Sequence, residues 1–327
     1  MGAALLLEWA PRPGPDAPVF DRIAACFPRR VREMSRSDES GGSARVGVWS
    51  HSHSPSRGLA RDEGTASFLA VIGNPSGHGL TSADGDALPA ELLKRCLVDV
   101  GSTFDAMSPP YAAVFYDGRD GTAHVLVDRL GFQHVYLRQG DDGSAWISSS
   151  GLALAAGLPS TVDPHHVAEW LAMGHFMSDR TLVREVRKLG AGEHVQLTKH
   201  GVATLRRWQP RLSQPDLDMG ETLVDRFGDE FRRAVAISAV EPGLASEMTG
   251  GIDSRYLLAA LLDNGASPLA WTMGQPGWSE LKIIERLRER RPFDHRVVSL
   301  DARIVPRLPE LVQEMQQLSD GEANALE

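Results

Sequence analysis

The stretch that most constrains how this chain can fold is Met248-Thr249-Gly250-Gly251-Ile252-Asp253-Ser254-Arg255. Leu244–Met248 reads as a short strand leading into it. Tyr256-Leu257-Leu258-Ala259-Ala260-Leu261-Leu262 behind it has the composition of a buried helix, and Asn264-Gly265 ends that helix. A strand, a double-glycine turn and a helix leave backbone N–H groups facing the space above the strand. Glycines there let an anion approach closely, and the helix N-terminus adds a favourable dipole. Thr249 and Ser254 supply hydroxyl donors, whereas Asp253 would repel a bare phosphate and so calls for a bridging Mg²⁺. The spacing is neither that of the P-loop nor the dinucleotide fingerprint. The plain alternative is an ordinary Gly-Gly turn opening a helix.

At 327 residues, 42% hydrophobic and 24% charged, the chain has the length and composition of two globular domains. A net charge of −9 argues against a nucleic-acid partner held by general electrostatics. Cys26 and Cys96 have no metal-type spacing and read as small buried hydrophobes in a reducing cytoplasm. Ala3–Leu7 is too short for a signal peptide, and no apolar run reaches about 18 residues, so no membrane partner is expected.

Residues 1–207 read as short strands with turn punctuation: Ala3–Glu8, Ala44–Ser50, Ser67–Ile72, Ala112–Tyr116, His124–Asp128, Val135–Gln139 and Ala145–Ser149. Between Arg36 and Arg61 the Ser, Gly and Arg content points to loop outside Ala44–Ser50. His51 and His53 alternate within it, a weak metal pattern against an ordinary loop. Gln209–Asp218, with Pro210 and Pro215, reads as a linker. Leu223, Phe227, Phe231 and Val235 then recur at helical spacing. Strands at Leu269–Met273 and His295–Leu300, with helices at Trp278–Arg291 and Leu308–Leu318, predict a parallel sheet. Ligands bind such sheets beyond the carboxyl ends of the strands, which is where Thr249–Ser254 falls. The charge-rich Glu280–Arg291 reads as a solvated helix face, and Arg255 either steers phosphate or pairs with a carboxylate.

Thr249-Gly250-Gly251-Ile252-Asp253-Ser254 resembles the Ser-Gly-Gly-x-Asp-Ser pyrophosphate loop of ATP pyrophosphatases, specifically of the asparagine synthetase-like family. Three further segments, in order, look like that family's glutaminase domain. Ala112–Asp117 looks like its apolar strand ending in Asp. Val127-Asp128-Arg129-Leu130-Gly131-Phe132 resembles its Arg-Asp-x-x-Gly turn, with Val127 in place of the Arg. Thr181-Leu182-Val183 through Leu189-Gly190-Ala191-Gly192 resembles its Thr-Leu-Phe…Leu-Pro-x-Gly segment.

The resemblance implies an α+β glutaminase-like (Ntn-hydrolase-type) sandwich over 1–207 and a linker over 208–218. The beginning of an α/β parallel-sheet ATP-pyrophosphatase domain would then follow over 219–327. The implied chemistry is activation of a carboxylate by ATP with release of pyrophosphate, followed by capture by ammonia or an amine to give an amide. Thr249, Gly250, Gly251 and Ser254 would hold pyrophosphate, Asp253 would hold Mg²⁺, and Thr272, Met273 and Gly274 would contact the adenine, mainly through backbone. No catalytic residue is assigned.

The departures from the family are specific. Its nucleophilic Cys follows Met1, but Gly2 stands here. Its Asn-Gly turn falls at Ile72-Gly73, without the Asn. A domain kept as scaffold, without glutamine hydrolysis, is therefore expected. The family's Ser-Gly-x-Gly-x-Asp-Glu motif and downstream Lys are not found before Glu327, so the expected ATP domain is incomplete. Three readings stay open. One is an asparagine synthetase-like ligase. Another is an intramolecular amide former like the lasso-peptide cyclases, acting on a precursor peptide, or like the β-lactam synthetases. The third is a non-catalytic nucleotide-binding scaffold.

Overall fold

The computed structural model describes residues 3–11, 17–51, 58–80, 84–85, 87–210, 221–240, 243–275, 277–299 and 301–322. Contacts divide the chain into two compact units, Met1–Pro210 with Leu311–Glu327, and Arg211–Glu310. Placing all of 219–327 in the second domain therefore differs from the structure, which assigns Leu311–Glu327 to the first unit. Most of the expected linker lies outside the described residues, as does His53.

In the first unit, one six-stranded antiparallel sheet contains β1 (Ala3–Trp9), β2 (Ser35–Gly41), β3 (Ala44–Ser50), β8 (Tyr136–Gln139), β9 (Ala145–Ser148) and β10 (Val186–Lys188). Their order is β10-β8-β9-β1-β3-β2. The second sheet, also antiparallel, runs β12 (Gly201–Arg207), β11 (Glu193–Thr198), β7 (Thr122–Val127), β6 (Tyr111–Asp117), β5 (Ser67–Gly73) and β4 (Leu59–Asp62). Alternate residues explain the layering. Leu5, Leu7 and Trp9 of β1 meet Ala112, Val114 and Tyr116 of β6 in one core between the sheets. Ala4 and Leu6 face the other way, against α1 (Ala17–Ala25), α2 (Arg29–Arg32) and α5 (Gly151–Gly157). Tyr111, Ala113 and Phe115 turn towards α3 (Ala87–Cys96) and α4 (Val100–Asp105). The result is a four-layer α/β/β/α sandwich. Strands buried on both faces read as unbroken apolar runs, which is why β1 and β6 stand out in the sequence.

The loop expected between Arg36 and Arg61 is corrected at both ends, since β2 and β4 flank Ala44–Ser50. β2 is an exposed edge strand with no apolar alternation to announce it. It is held by its register with β3, from Ser35↔Ser50 to Gly41↔Ala44. Arg36 adds bonds to Asp38 (2.7 Å) and Asp21 (3.2 Å), and the Arg45 guanidinium lies 4.2 Å from the Phe20 ring centroid. At the hairpin, Gly42 has φ +44°, and a Cβ there would sit 2.4 Å from the Tyr116 hydroxyl, so only glycine fits. The helices within 1–207 also replace a reading made of strands. α6 (Pro164–Met173) carries ordinary end signals: Asp163 accepts from His165 N–H, Pro164 opens it, and Gly174 closes it at φ +74°.

The second unit has three parallel strands, β13 (Ala245–Glu247), β14 (Leu269–Met273) and β15 (His295–Val298), in that order. They are joined by α8 (Ile252–Asp263) and α9 (Ser279–Arg290), and α7 (Glu221–Ala239) precedes them. Met248, Leu258, Ala270, Leu281 and Ile284 form its core. A smaller cluster of Val235, Ala260 and Leu261 packs α7 on α8. The parallel sheet is as expected. β13 is shorter than Leu244–Met248, although the flanking bonds Leu269 N–H to Leu244 O (2.9 Å) and Met248 N–H to Trp271 O (2.7 Å) extend the pairing. After Val298 the chain forms a 3-10 turn at Ala302–Arg307 and then α10 (Leu308–Leu318).

Candidate functional site

The turn Met248–Gly251 leaves the carboxyl end of β13 and enters α8, so the sheet presents it where the sequence placed it. Its two hydroxyls brace one another. Ser254 Oγ accepts from the Thr249 N–H (3.1 Å) and lies 3.0 Å from Thr249 Oγ1, which in turn accepts from the Gly251 N–H (3.1 Å). Arg255 folds back so that its Nε donates to the Gly251 carbonyl at 3.0 Å. That contact fixes the guanidinium beside the turn.

Both glycines are close-packed. A Cβ at Gly250 would lie 3.0 Å from Ile283 Cδ1 on α9, and one at Gly251 would lie 3.1 Å from Thr249 Oγ1. Gly251 is the N-cap of α8, and no side chain caps that end. A first helical turn without a side-chain acceptor keeps N–H donors for an anion. Asp253 sits in that turn and is exposed. The groups here that could hold a phosphate chain with Mg²⁺ are the N–H donors of the first turn of α8 and the Asp253 carboxylate.

Thr272, Met273 and Gly274 end the neighbouring strand on the same side of the sheet. Met273 is 45% exposed and can meet a ligand, whereas Thr272 is 2% exposed. The Thr272 hydroxyl donates to the Met248 carbonyl and lies 2.9 Å from His295 Nε2. Its one proton is used on Met248, so His295 must be the donor in the second bond. Thr272 thus ties three strands together directly behind the turn, a role the sequence did not show. Burial, with Arg288 nearby, lowers the His295 pKa.

In the first unit, Asp128 gathers the turn that follows it, Gly192 from the third segment, and Tyr111, the residue just before the first segment. Its fully buried carboxylate accepts backbone N–H bonds from Tyr111 (3.3 Å), Leu130 (2.9 Å), Phe132 (3.3 Å) and Gln133 (3.1 Å). Its backbone carbonyl accepts from Gly131 (3.0 Å) and Gly192 (2.8 Å). Val127, where the compared pattern has Arg, points into the core between the sheets. The buried Thr181 hydroxyl is within reach of the Val183 and Val186 carbonyls at 3.0 and 2.8 Å. At Gly73 φ is +93°, and a Cβ would meet the Pro110 carbonyl at 2.4 Å.

Cys96 is buried and Cys26 is half-buried. Burial pushes the Cys96 thiol up to about 12, and Cys26 Sγ is 3.3 Å from the Arg22 carbonyl on α1. His51 is exposed, and among the described residues no group of three or more His, Cys, Asp or Glu could hold a metal. Nor is any described helix long and apolar enough to cross a membrane.

Residues 82–209 match the family model described as a glutamine amidotransferase domain. No curated protein matches the chain. A solved structure of glutamine phosphoribosylpyrophosphate (PRPP) amidotransferase from B. subtilis, complexed with ADP and GMP, is similar at 10% identity and a TM-score of 0.44. The likeness covers 93% of this chain and 70% of that one. The first unit therefore contains an amidotransferase-like segment within a mixed α/β fold of antiparallel sheets.

Proposed function

We propose that the chain is an asparagine synthetase-like, ATP-dependent amide-forming ligase that activates a carboxylate as its acyl-adenylate and releases pyrophosphate. The observation that carries this reading is the turn at the carboxyl end of β13. There two mutually braced hydroxyls, two close-packed glycines and a helix start without a side-chain cap lie beside an exposed carboxylate. In this reading Thr249, Gly250, Gly251 and Ser254 hold the departing pyrophosphate through hydroxyl and N–H donors, while Asp253 holds Mg²⁺. The cation supplies charge neutralisation at the phosphates when bound. Arg255, held beside the turn, adds positive charge. Backbone groups of Met273 and Gly274, with Thr272 behind them, border the base. The protein's share is positioning and electrostatic stabilisation.

Burial of Cys96, which pushes its thiol up to about 12, favours an amine from outside the first unit over one released from glutamine through that thiol. An intramolecular amide former, joining a substrate's own amine to its own carboxylate, is the second reading. Pyrophosphate release from ATP, screened against aspartate and carboxylate-bearing peptides, tests both. A carboxylate that raises release, with glutamine giving no glutamate, supports the proposal. ATP that stays intact with every carboxylate leaves only a nucleotide-binding scaffold.

A further inference from the structure

The end of the described chain is fastened to the first unit by carboxylates. Past α10 the backbone turns at Asp320, with φ +54°. Gly321 N–H bonds to the Gln316 carbonyl (2.8 Å) and Glu322 N–H to the Ser319 carbonyl (2.9 Å). The turn aims two acids at the sandwich. Asp320, 9% exposed, accepts from Ser150 Oγ (2.7 Å) and from the Leu152 N–H (2.9 Å) at the start of α5. Glu322 accepts from the Tyr136 hydroxyl on β8 (2.8 Å) and from Lys188 Nζ on β10 (2.6 Å). Upstream, Arg30 of α2 grips Glu314 with two donors.

We propose that Ser319–Glu322 is a proton-sensitive strap, docked on β8, β10 and the start of α5 while the Asp320 carboxyl is protonated and released when that carboxyl ionises. The two anchors differ in kind. Glu322 has a cation, Lys188, and keeps its charge when docked. Asp320 is enclosed with only neutral donors in contact, so docking strips water from it without supplying a counter-ion. The charges facing Asp320 are Glu322 on its own segment and the more distant Lys188 on β10. Those facing Glu322 are Lys188 and His134, whose Nδ1 is 3.6 Å away. Burial and Lys188 lower the His134 pKa, with Glu322 and Asp128 acting the other way. Tyr136 remains protonated, since burial pushes its hydroxyl up.

The sign follows from linkage. Burial raises Asp320 from an ordinary carboxylate value to about 6, despite the bonds from Ser150 and Leu152. A raised folded-state value means that the docked strap is most stable at low pH. Stability declines from the undocked value near 3.8 and continues to fall until pH passes about 6.

Hydrogen exchange of the 311–322 amides in the full chain, corrected for intrinsic rates, tests the proposal. Protection should fall about tenfold between roughly pH 5 and pH 7.5, the change that these two values imply. Asp320→Asn, which keeps the acceptor but cannot ionise, should give equal protection at both pH values. Glu322→Gln should weaken protection at both while leaving most of the fall, since burial is the largest cause of the raised Asp320 value and Glu322 a lesser one. The proposal is overturned by pH-independent protection in the parent chain, by an undiminished fall in Asp320→Asn, or by loss of the fall in Glu322→Gln.

Discussion

A carboxylate with none of its surface in water must find its donors inside the protein, and Asp128 finds four backbone N–H groups. Three come from the turn that follows it, so this one side chain shapes residues 129–133. The fourth, from Tyr111, ties the turn to the start of β6. Truncation would leave the buried Tyr111 N–H and three half-buried turn N–H groups without this acceptor. Asp128→Ala should cost about 3–5 kcal/mol, read as a lower urea midpoint at unchanged slope. A loss below about 1 kcal/mol would mean that the turn holds itself. The position was legible in the sequence as an Asp followed three residues later by Gly131. Its partner set was not, because backbone donors carry no residue identity. Val127 shows the limit of pattern matching: an Arg in the compared motif is here a buried contact between the sheets.

At the scale of elements, two contacts link neighbouring strands through polar side chains. His124 Nδ1 on β7 is 2.9 Å from His194 Nε2 on β11, so one ring donates and the other accepts. Burial lowers both, and the neighbouring His124 and Arg206 help bring His194 to about 4. A histidine whose folded value lies below its unfolded value stabilises the fold only where it is neutral. Stability should therefore fall as pH drops from about 6.5 towards about 4, on the order of 2–3 kcal/mol for His194. Chemical denaturation at stepped pH should show that slope, and His194→Gln should flatten it. An equal slope in both proteins contradicts the pairing.

Across β13, β14 and β15, Thr272 is the corresponding tie. Thr272→Val leaves the Met248 carbonyl and His295 without this partner and should cost about 1–3 kcal/mol, whereas Thr272→Ser should recover most of it. Denaturation midpoints of the two variants decide this; a larger loss in Thr272→Ser than in Thr272→Val would show that the methyl packing, not the hydroxyl, matters. Such ties are invisible to periodicity, which reads apolar alternation and caps. For the same reason β1, β3, β6 and β14 were legible from their apolar runs. β2 was not, since hydrogen bonds and Arg–Asp contacts hold it without burying a face. The helices of the first unit were missed differently. Asp163-Pro164 and Gly174 bracket α6, signals present in the sequence and outweighed there by the count of short strands.

At the scale of the molecule, an antiparallel sandwich with an amidotransferase-like segment precedes a unit built on three parallel strands. The parallel unit was legible because its strands alternate with helices, and its turn because a double glycine stands between a strand and a helix. The return of Leu311–Glu327 to the first unit was not, because it depends on partners more than a hundred residues away, such as Ser150 and Tyr136. The proposed activity rests on one claim, that Thr249–Ser254 receives the phosphates of ATP with Mg²⁺ at Asp253. Isothermal titration of the folded full chain with ATP, with and without Mg²⁺, tests it most directly. The account predicts saturable heat that requires Mg²⁺ and an affinity reduced at least about tenfold by Asp253→Ala, the equivalent of about 1.4 kcal/mol. No heat with ATP and Mg²⁺, or an Asp253→Ala titration that overlays the parent, would contradict it.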